Sequence, residues 1–505
     1  MRPCFIGCDI GTQGTKTAIY AADGALLANS FEASVLLHPE PGAVTQDPEE
    51  MLGSVCRTIR AVLEKSGITP DQIAAVGVDA QMAGILGVGG DGVAVTPYDS
   101  WLDTRCAPYV RAMKETAEEA VIRLTGGQVT VNHGPKILWW KGERPEAYAR
   151  IARFVPPSAY VGMRLCGLTA RDAYIDDTHL HFTGFADNPN RRWDEGLLGA
   201  FEVAAEKMPA IRRPAERIGT LTKEMAAACG LPAGIPVAAG CGDSAASALG
   251  AGVLRQGEVY DVAGTASIFS CVTDRYAPDL RHKTLLFTRS AADGLWNALA
   301  YISGGGMCLH WYRKLSALTY KELDEAAAGA APGCGGLLFL PHFAGRTCPS
   351  VPEVRGTWLG LGWEHGTGTL FRSILESVAY EYRLYLDILR ELNPALRPET
   401  VFGAGGGSRS EVFNQIKADV LALPYRPLTG GDTAARGAAI LAGCAAGAYA
   451  SPVQAAAAVR KPGPARLPRA EYEALYAGRA AAYRRALEGA AVLYRDLDNE
   501  KGDAQ

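Results

Sequence analysis

The stretch CDIGTQGTKTAIY at residues 8–20 returns in outline as YDVAGTASIFSCV at 260–272, and this pair decides how the chain is read. Each copy runs apolar strand, Asp, Gly-Thr turn, strand, and each opens about half of the 505 residues. Self-similarity at that period suggests two related domains, each offering a backbone hairpin to one ligand between them. Chance recurrence of a common Gly-Thr turn is the alternative. A boundary near SAASALGAGVL (residues 244–254) suits the repeat, dividing the chain into 1–247 and 248–505.

Working outward from the first copy, residues 4–10 form an apolar run fit for a buried strand, and 16–21 return as a second. Asp23-Gly24 signals a hairpin into a third strand. A helix follows, with Asp47 as cap, Pro48 at its first position, Glu49 and Glu50 at the positive dipole end, and Gly67 closing it. Leu52, Val55, Ile59 and Val62 share its inner face. IAAVGVDA at 73–80 reads as another buried strand, so the class is α/β.

The composition narrows the function classes. Fifty Lys plus Arg against 54 Asp plus Glu give a net charge of −4, which argues against a nucleic-acid binder or polybasic anchor. The 48% hydrophobic and 21% charged residues are ordinary for a globular protein. Twelve scattered cysteines without a C-x-x-C pair read as buried apolar residues in a reducing compartment. Asp9 interrupts any signal-peptide core, and 437–459 reads as a packed Ala/Gly helix and loop rather than a span. A cytoplasmic protein is expected.

Three loops carry candidate chemistry. Gly11, Thr12, Gly14 and Thr15 before Lys16 can bring backbone amides to an anion, or simply close a tight hairpin; Thr15 before the Lys excludes a P-loop. VFGAGGGSRSEVF at 401–413 runs strand, glycine loop, helix from Ser410, with Ser408 breaking the dinucleotide fingerprint. Its glycines either cover a nucleotide's flat base or ribose, or bring strand and helix close. In IPVAAGCGDSAA at 235–246, Asp243 is either a helix cap or a carboxylate at a strand end able to take a proton from a hydroxyl.

In order along the chain, these motifs resemble the FGGY carbohydrate kinases, most closely the xylulokinase branch. Asp9–Lys16 is similar to the family's first phosphate motif, Gln81-Met82-Ala83-Gly84 to its sugar-contact segment, and Trp101-Leu-Asp103-Thr-Arg105 to the motif after it. Gly240-Cys-Gly-Asp243 resembles the catalytic-base segment, Gly264-Thr265 the second phosphate motif, and GAGGGSRS at 403–410 the adenosine motif, with Gly437-Ala-Ala nearby. LLFLPHFAGRTCP at 337–349, Arg355-Gly356, Gly360-Leu361, Arg372 and Glu376 resemble the C-terminal signature.

The resemblance implies two actin-like (ribonuclease-H-like) ATPase domains flanking a cleft and closing during turnover. It implies ATP, Mg²⁺ and a ketopentose, D-xylulose, phosphorylated at its terminal hydroxyl, with a homodimer as a further expectation. By position, Asp243 becomes the general base, and Asp9 with Asp243 supports Mg²⁺, partly through water. Gly11, Thr12, Gln13, Gly14, Lys16, Gly264 and Thr265 become phosphate contacts; Gly306, His310, Gly406, Gly407 and Ser410 line the nucleotide. Gln81, Met82, Ala83, Trp101, Asp103 and Asp243 face the sugar. Three departures stand out: Ala83 replaces the branch's His, Ala344-Gly345 lacks the acid before Arg346, and Thr369 replaces a polar or acidic side chain. The glycerol branch's Arg-Glu pair is missing. An actin-like ATPase or a non-catalytic sugar-binding protein are the alternatives from other classes.

Other residues have plainer readings. His179 and His181 suit surface or hydrogen-bonding positions on a strand better than a metal pair; Trp139-Trp140 suits core or interface better than sugar stacking. Cys241 reads as a buried, inert thiol, and 470–497 as a solvated helix.

Overall fold

A computed structural model describes residues 3–429 and 432–502, which pack as two units. The first holds residues 3–254, 287–296 and 432–460; the second holds 255–286, 297–429 and 461–502.

In the first unit, β1 (Cys4–Gly11), β2 (Gly14–Ala21) and β3 (Leu26–Ala33) form an antiparallel meander, as the sequence suggests. Helix α1 (Pro48–Ser66) follows, with Asp47 accepting from the Glu49 N–H and Gly67 closing it at φ 66°. Leu52, Val55, Ile59 and Val62 are buried on its inner face, each contributing about 1.5–3 kcal/mol. β4 (Ile73–Ala80) then pairs parallel with β1. With β5 (Arg217–Thr220) and β6 (Pro236–Ala238) the strand order is β5-β6-β4-β1-β2-β3. The short β7 (Cys241–Gly242) adds to the end of β4 and leads into α2 (Asp243–Ala251). β1 is buried on both faces, which is why it reads as an unbroken apolar run.

The second unit repeats this plan. β8 (Glu258–Ala263) and β9 (Ser267–Thr273) form the second hairpin; five strands of a six-stranded sheet run in the order β10-β9-β8-β11-β12, with β10 (Trp296–Ile302), β11 (Thr400–Ala404) and β12 (Tyr425–Pro427). β8 pairs parallel with β11, as β1 does with β4. Three helices complete the part that matters for the site: α3 (Gly305–Ser316), α4 (Thr367–Leu392) and α5 (Glu411–Leu421). Fully buried Asp261 on β8 accepts from the Tyr382 and Tyr425 hydroxyls at 2.8 and 2.7 Å and is ion-paired with fully buried Lys417.

The chain then returns to the first unit as α6 (Thr433–Ala445). Its small residues explain themselves by close approach. A Cβ on Gly7 of β1 would lie 1.8 Å from the Ala435 carbonyl oxygen, and one on Gly437 would lie 2.0 Å from that of Ala246 in α2. The Ala/Gly stretch is therefore a helix pressed against backbone. Among the described residues no helix is long and apolar enough to cross a membrane. The expected division at 247/248 falls inside α2, and residues 432–460 leave the C-terminal half because α6 seats on β1, β4 and α2.

Three smaller expectations change. His179 and His181 sit not on a surface strand but in a buried 3-10 turn, Asp177–Phe182. The last helix, α7 (Glu473–Gly502), is solvated on one side only: Tyr476 and Tyr483 are buried and donate to Glu376 and Glu381 of α4 at 3.0 and 2.9 Å. Asp243 is not the cap of α2; Gly242 is, and Asp243 is the first helical residue. Trp139 and Trp140 are core residues, Trp139 beneath the Arg105 guanidinium at 4.1 Å and Trp140 donating to Asp99 at 2.6 Å.

Candidate active site

Strand register brings the first unit's acids together. Asp9 near the end of β1 stands directly beside Asp79 near the end of β4. Cys241 of β7 pairs with Asp79, so Asp243 follows at the same sheet end. Asp432 caps α6, accepting from the Ala434 and Ala435 N–H groups at 3.0 and 3.3 Å. Lys16, opposite Asp9 in the hairpin, reaches Asp432 at 2.8 Å and Asp9 at 4.0 Å. Strand C-termini and helix N-termini are where α/β folds receive ligands.

The electrostatics follow from four carboxylates around one ammonium. Burial, then Asp432 and Asp243, push the Asp9 carboxyl up to about 7 against the pull of Lys16. Asp79 is held well above the ordinary carboxylate range by burial and then by Asp9, Asp243 and Asp432, and it shares a hydrogen bond with Asp9. Asp243 is also raised, by burial, while Ser244 restrains it through hydrogen bonds from its N–H (2.6 Å) and hydroxyl (3.2 Å) to Oδ1. Such a cluster favours a cation or protons.

Among the described residues no three His, Cys, Asp or Glu side chains are arranged to hold a metal by themselves. The acids suit Mg²⁺ in its usual mode, with one or two carboxylates and the remaining positions filled by water and substrate phosphate.

Thr12 ties the hairpin loop to the neighbouring segments. Its hydroxyl donates to Gln81 Oε1 at 3.1 Å and accepts from Trp101 Nε1 at 2.8 Å, and Gln81 Nε2 donates to Gln46 at 2.6 Å. Gln13 at the loop tip is exposed, and the flanking Gly11 and Gly14 form the last pair of the β1–β2 register. Met82 packs on Gly242, where a Cβ would lie 2.3 Å from Met82 Cε, so it adjoins Asp243. Ala83 beside it takes the left-handed conformation at φ 62°, uncommon for a residue with a Cβ. Asp103 is not brought to this group. It is buried and committed to the Val44 N–H and to Arg105.

In the second unit the glycines converge on the second hairpin's turn. A Cβ on Gly306 would lie 1.8 Å from the Gly264 carbonyl oxygen, and the Gly306 and Met307 N–H groups donate to the Thr265 carbonyl at 3.1 Å. Gly405, at φ 86°, lies against Ala263, as does Gly407, while Gly406 faces open space. Ser410 caps α5 by accepting from the Phe413 N–H at 3.2 Å, and His310 is exposed on α3.

Sequence reasoning missed Asp79, Asp432 and Ser244. Asp79 was legible only as the last acid of a strand, and Asp432 only as an Asp before Thr-Ala-Ala at a helix start. Cys241 is buried beside Asp243, its thiol held well above its ordinary value by burial and then by Asp176, Asp79 and Asp243, as an inert group would be.

Residues 4–250 match the N-terminal domain, and 259–446 the C-terminal domain, of the FGGY family of carbohydrate kinases. The chain is 30% identical over 448 residues to the xylulose kinase of Escherichia coli K12, covering 88% of this chain and 90% of that one. It is 25% identical over 437 residues to the gluconokinase of Bacillus subtilis, covering 83% of each. The crystal structure of xylulose kinase from Rhodospirillum rubrum superposes with a TM-score of 0.87 at 25% identity, over 97% of this chain and all of that one. The two hairpin-bearing units are thus the actin-like halves of a two-domain sugar-kinase fold, and the chain belongs to the FGGY family of carbohydrate kinases.

Proposed function

We propose that the protein phosphorylates a ketopentose, D-xylulose, to D-xylulose 5-phosphate with Mg-ATP. Kinase-family membership makes ATP the phosphoryl donor; the choice of acceptor follows the xylulose kinase relative and the polar, acidic surroundings of Asp243. The observation that carries the reading is Asp243 at the sheet end beside Met82 and the Asp9–Asp79 pair.

Asp243 takes the proton of the attacking hydroxyl as its oxygen bonds to the γ-phosphorus and the bond to the departing ADP oxygen breaks. The proton then passes to solvent. Its raised affinity for protons makes it a better base than an ordinary carboxylate, and Ser244 fixes the oxygen that does not receive the proton. Asp9, with Asp243, supports Mg²⁺ through water, and the ion when bound neutralises charge on the transferring phosphoryl group. In the first unit Gly11, Thr12, Gln13, Gly14 and Lys16 engage phosphate. In the second, Gly264 and Thr265 do so, while Gly306, His310, Gly406, Gly407 and the cap at Ser410 hold the nucleoside. Gln81 and Trp101 steady Thr12, Met82 and Ala83 face the sugar, and Asp103 acts at a distance by holding Arg105.

The test is ADP release with Mg-ATP across ketopentoses, pentitols, tetritols, aldonates and glycerol. D-xylulose is expected to give the highest kcat/KM, and Asp243→Asn to lose about 10²–10⁴-fold in kcat. A higher rate on another sugar, polyol or aldonate moves the substrate within the family. Wild-type turnover in Asp243→Asn overturns the mechanism; ATP hydrolysis indifferent to any sugar, or sugar binding without ADP release, favours the ATPase or non-catalytic reading. A cytoplasmic homodimer belongs to the same proposal, checked by fractionation and sedimentation.

A further inference from the structure

Around Asp243 lies a set of buried polar groups that the transfer step does not use. The Gly242 N–H donates to Thr178 Oγ1 at 3.0 Å, which sets the Asp177–Phe182 turn against the base. His179, the next residue, lies near Asp243. Its ring stacks at 6.0 Å, 22° from coplanar, on His133, the first residue of the His133–Glu143 helix. The Gly84 backbone is beside His133, and a Cβ on Gly84 would lie 2.0 Å from Tyr98 Oη. His179, His133 and Tyr98 therefore surround the Met82–Gly84 segment that adjoins Asp243.

These groups are almost wholly enclosed, and much of their hydrogen-bonding capacity is unused. His179 Nδ1 is 2.7 Å from Asp176 Oδ2, while its Nε2 has no partner. His133 is held to the Gly84 backbone through one ring nitrogen, and neither Tyr98 Oη nor Asn132 Oδ1 has a hydrogen-bond partner. Exposure is 0% for Tyr98, His133 and His179 and 2% for Asn132. An unmade bond of a buried polar group destabilises the fold, and several in one place call for a ligand that makes them. Donation of Nδ1–H to Asp176 leaves His179 Nε2 as an acceptor. Burial, then His179, His181 and Lys136, keep His133 neutral, and with its N–H turned to the Gly84 backbone the other ring nitrogen is left as an acceptor. These acceptors, with the Tyr98 hydroxyl, complement the hydroxyl groups of a sugar, which donate.

Resting on the kinase reading above, we propose that Tyr98, Asn132, His133 and His179 form the hydroxyl-binding wall of the acceptor site and select an uncharged polyhydroxylated substrate over an aldonate. The cations nearby are committed: Lys136 Nζ donates to the Asp103 carbonyl at 2.8 Å and Arg191 pairs with Asp177 at 2.6 Å. A carboxylate placed here would face Asp243 without a counter-ion.

Tyr98→Phe removes one oxygen and keeps the ring. Because that oxygen is unpartnered, the variant's Tm without sugar should equal or exceed that of the wild type, while its KM for the preferred sugar rises roughly tenfold and its KM for ATP stays fixed. His133→Leu should raise the KM for the sugar likewise and leave that for ATP unchanged, with a lower Tm because its bond to the Gly84 backbone is lost. Ring ¹⁵N shifts of wild-type His133 and His179 should move on adding D-xylulose or xylitol without nucleotide, and stay put on adding D-gluconate. Unchanged sugar KM in both variants, or unmoved histidine shifts in a wild type that turns over a neutral sugar, overturns the wall and leaves the kinase reading intact. Preferred turnover of D-gluconate overturns the selection. Failure of the kinase reading shows separately, as wild-type protein without sugar-dependent ADP release.

Discussion

Replacing Asp9 with Asn should stabilise the nucleotide-free, metal-free protein while disabling it. The Asp9 carboxyl is raised from its usual 3.8 to about 7 because it is buried against Asp432 and Asp243, with Lys16 compensating only partly. Between pH 4 and 7 the folded chain therefore keeps a proton that the unfolded chain has lost, so stability falls as pH rises through this window and levels off above it. About 3 pK units at 1.36 kcal/mol each give about 4 kcal/mol at pH 8. Asparagine carries no charge to desolvate and removes that term. Thermal unfolding in EDTA at intervals from pH 4.5 to 8.5, with wild type and Asp9→Asn side by side, reads it directly. The two should nearly coincide at pH 4.5, and the variant should melt higher at pH 8, by on the order of 4 °C. Equal Tm values at pH 8, or a gap that narrows as pH rises, would refute the electrostatic account of this site.

Two further outcomes test the second unit. Lys417→Met leaves Asp261 buried without its cation and should cost about 3–5 kcal/mol in urea unfolding, most of it recovered by adding Asp261→Asn; no recovery would show that Lys417 acts by packing alone. Burial raises Glu381, but Arg346, His342 and Tyr483 outweigh it and hold its carboxyl at about 2. Its contribution is present above pH 4.5 and lost as pH falls through 2, so Glu381→Gln should cost about 3 kcal/mol at pH 7 and flatten the acid limb of the unfolding curve; an unchanged acid limb refutes this.

What the sequence discloses here is what local chemistry decides. The Asp47 cap and Gly67 bound α1, and the apolar runs at 4–10 and 73–80 are strands because each lies between packed layers. The second hairpin was legible from the first, and so was the family resemblance, since its motifs lie in loops whose residue types are set by backbone geometry. Asp79 could not be seen, because its role comes from the parallel register that places it beside Asp9, seventy residues earlier. Asp432 reaches Lys16 only because α6 returns to the first unit, and the Gly7 and Gly437 contacts that seat it pair residues far apart in sequence. His179 read as a surface or hydrogen-bonding position on a strand, and its stacking on His133 beside Asp243 depends on a packing that the local sequence does not disclose.

The repeat also explains how the two units diverged in role. Asp9 and Asp261 occupy the same step of their hairpins, one strand residue after Cys8 and Tyr260, with parallel neighbours β4 and β11 alongside. At Asp9 the neighbour supplies another carboxylate, Asp79, and the one lysine, Lys16, is shared with Asp432, so charge stays uncompensated at the sheet end. At Asp261 the neighbour supplies Gly403, and Lys417, Tyr382 and Tyr425 satisfy the acid inside the core. One strand position thus serves as a charged, cation-seeking group in the first unit and as a neutralised core anchor in the second.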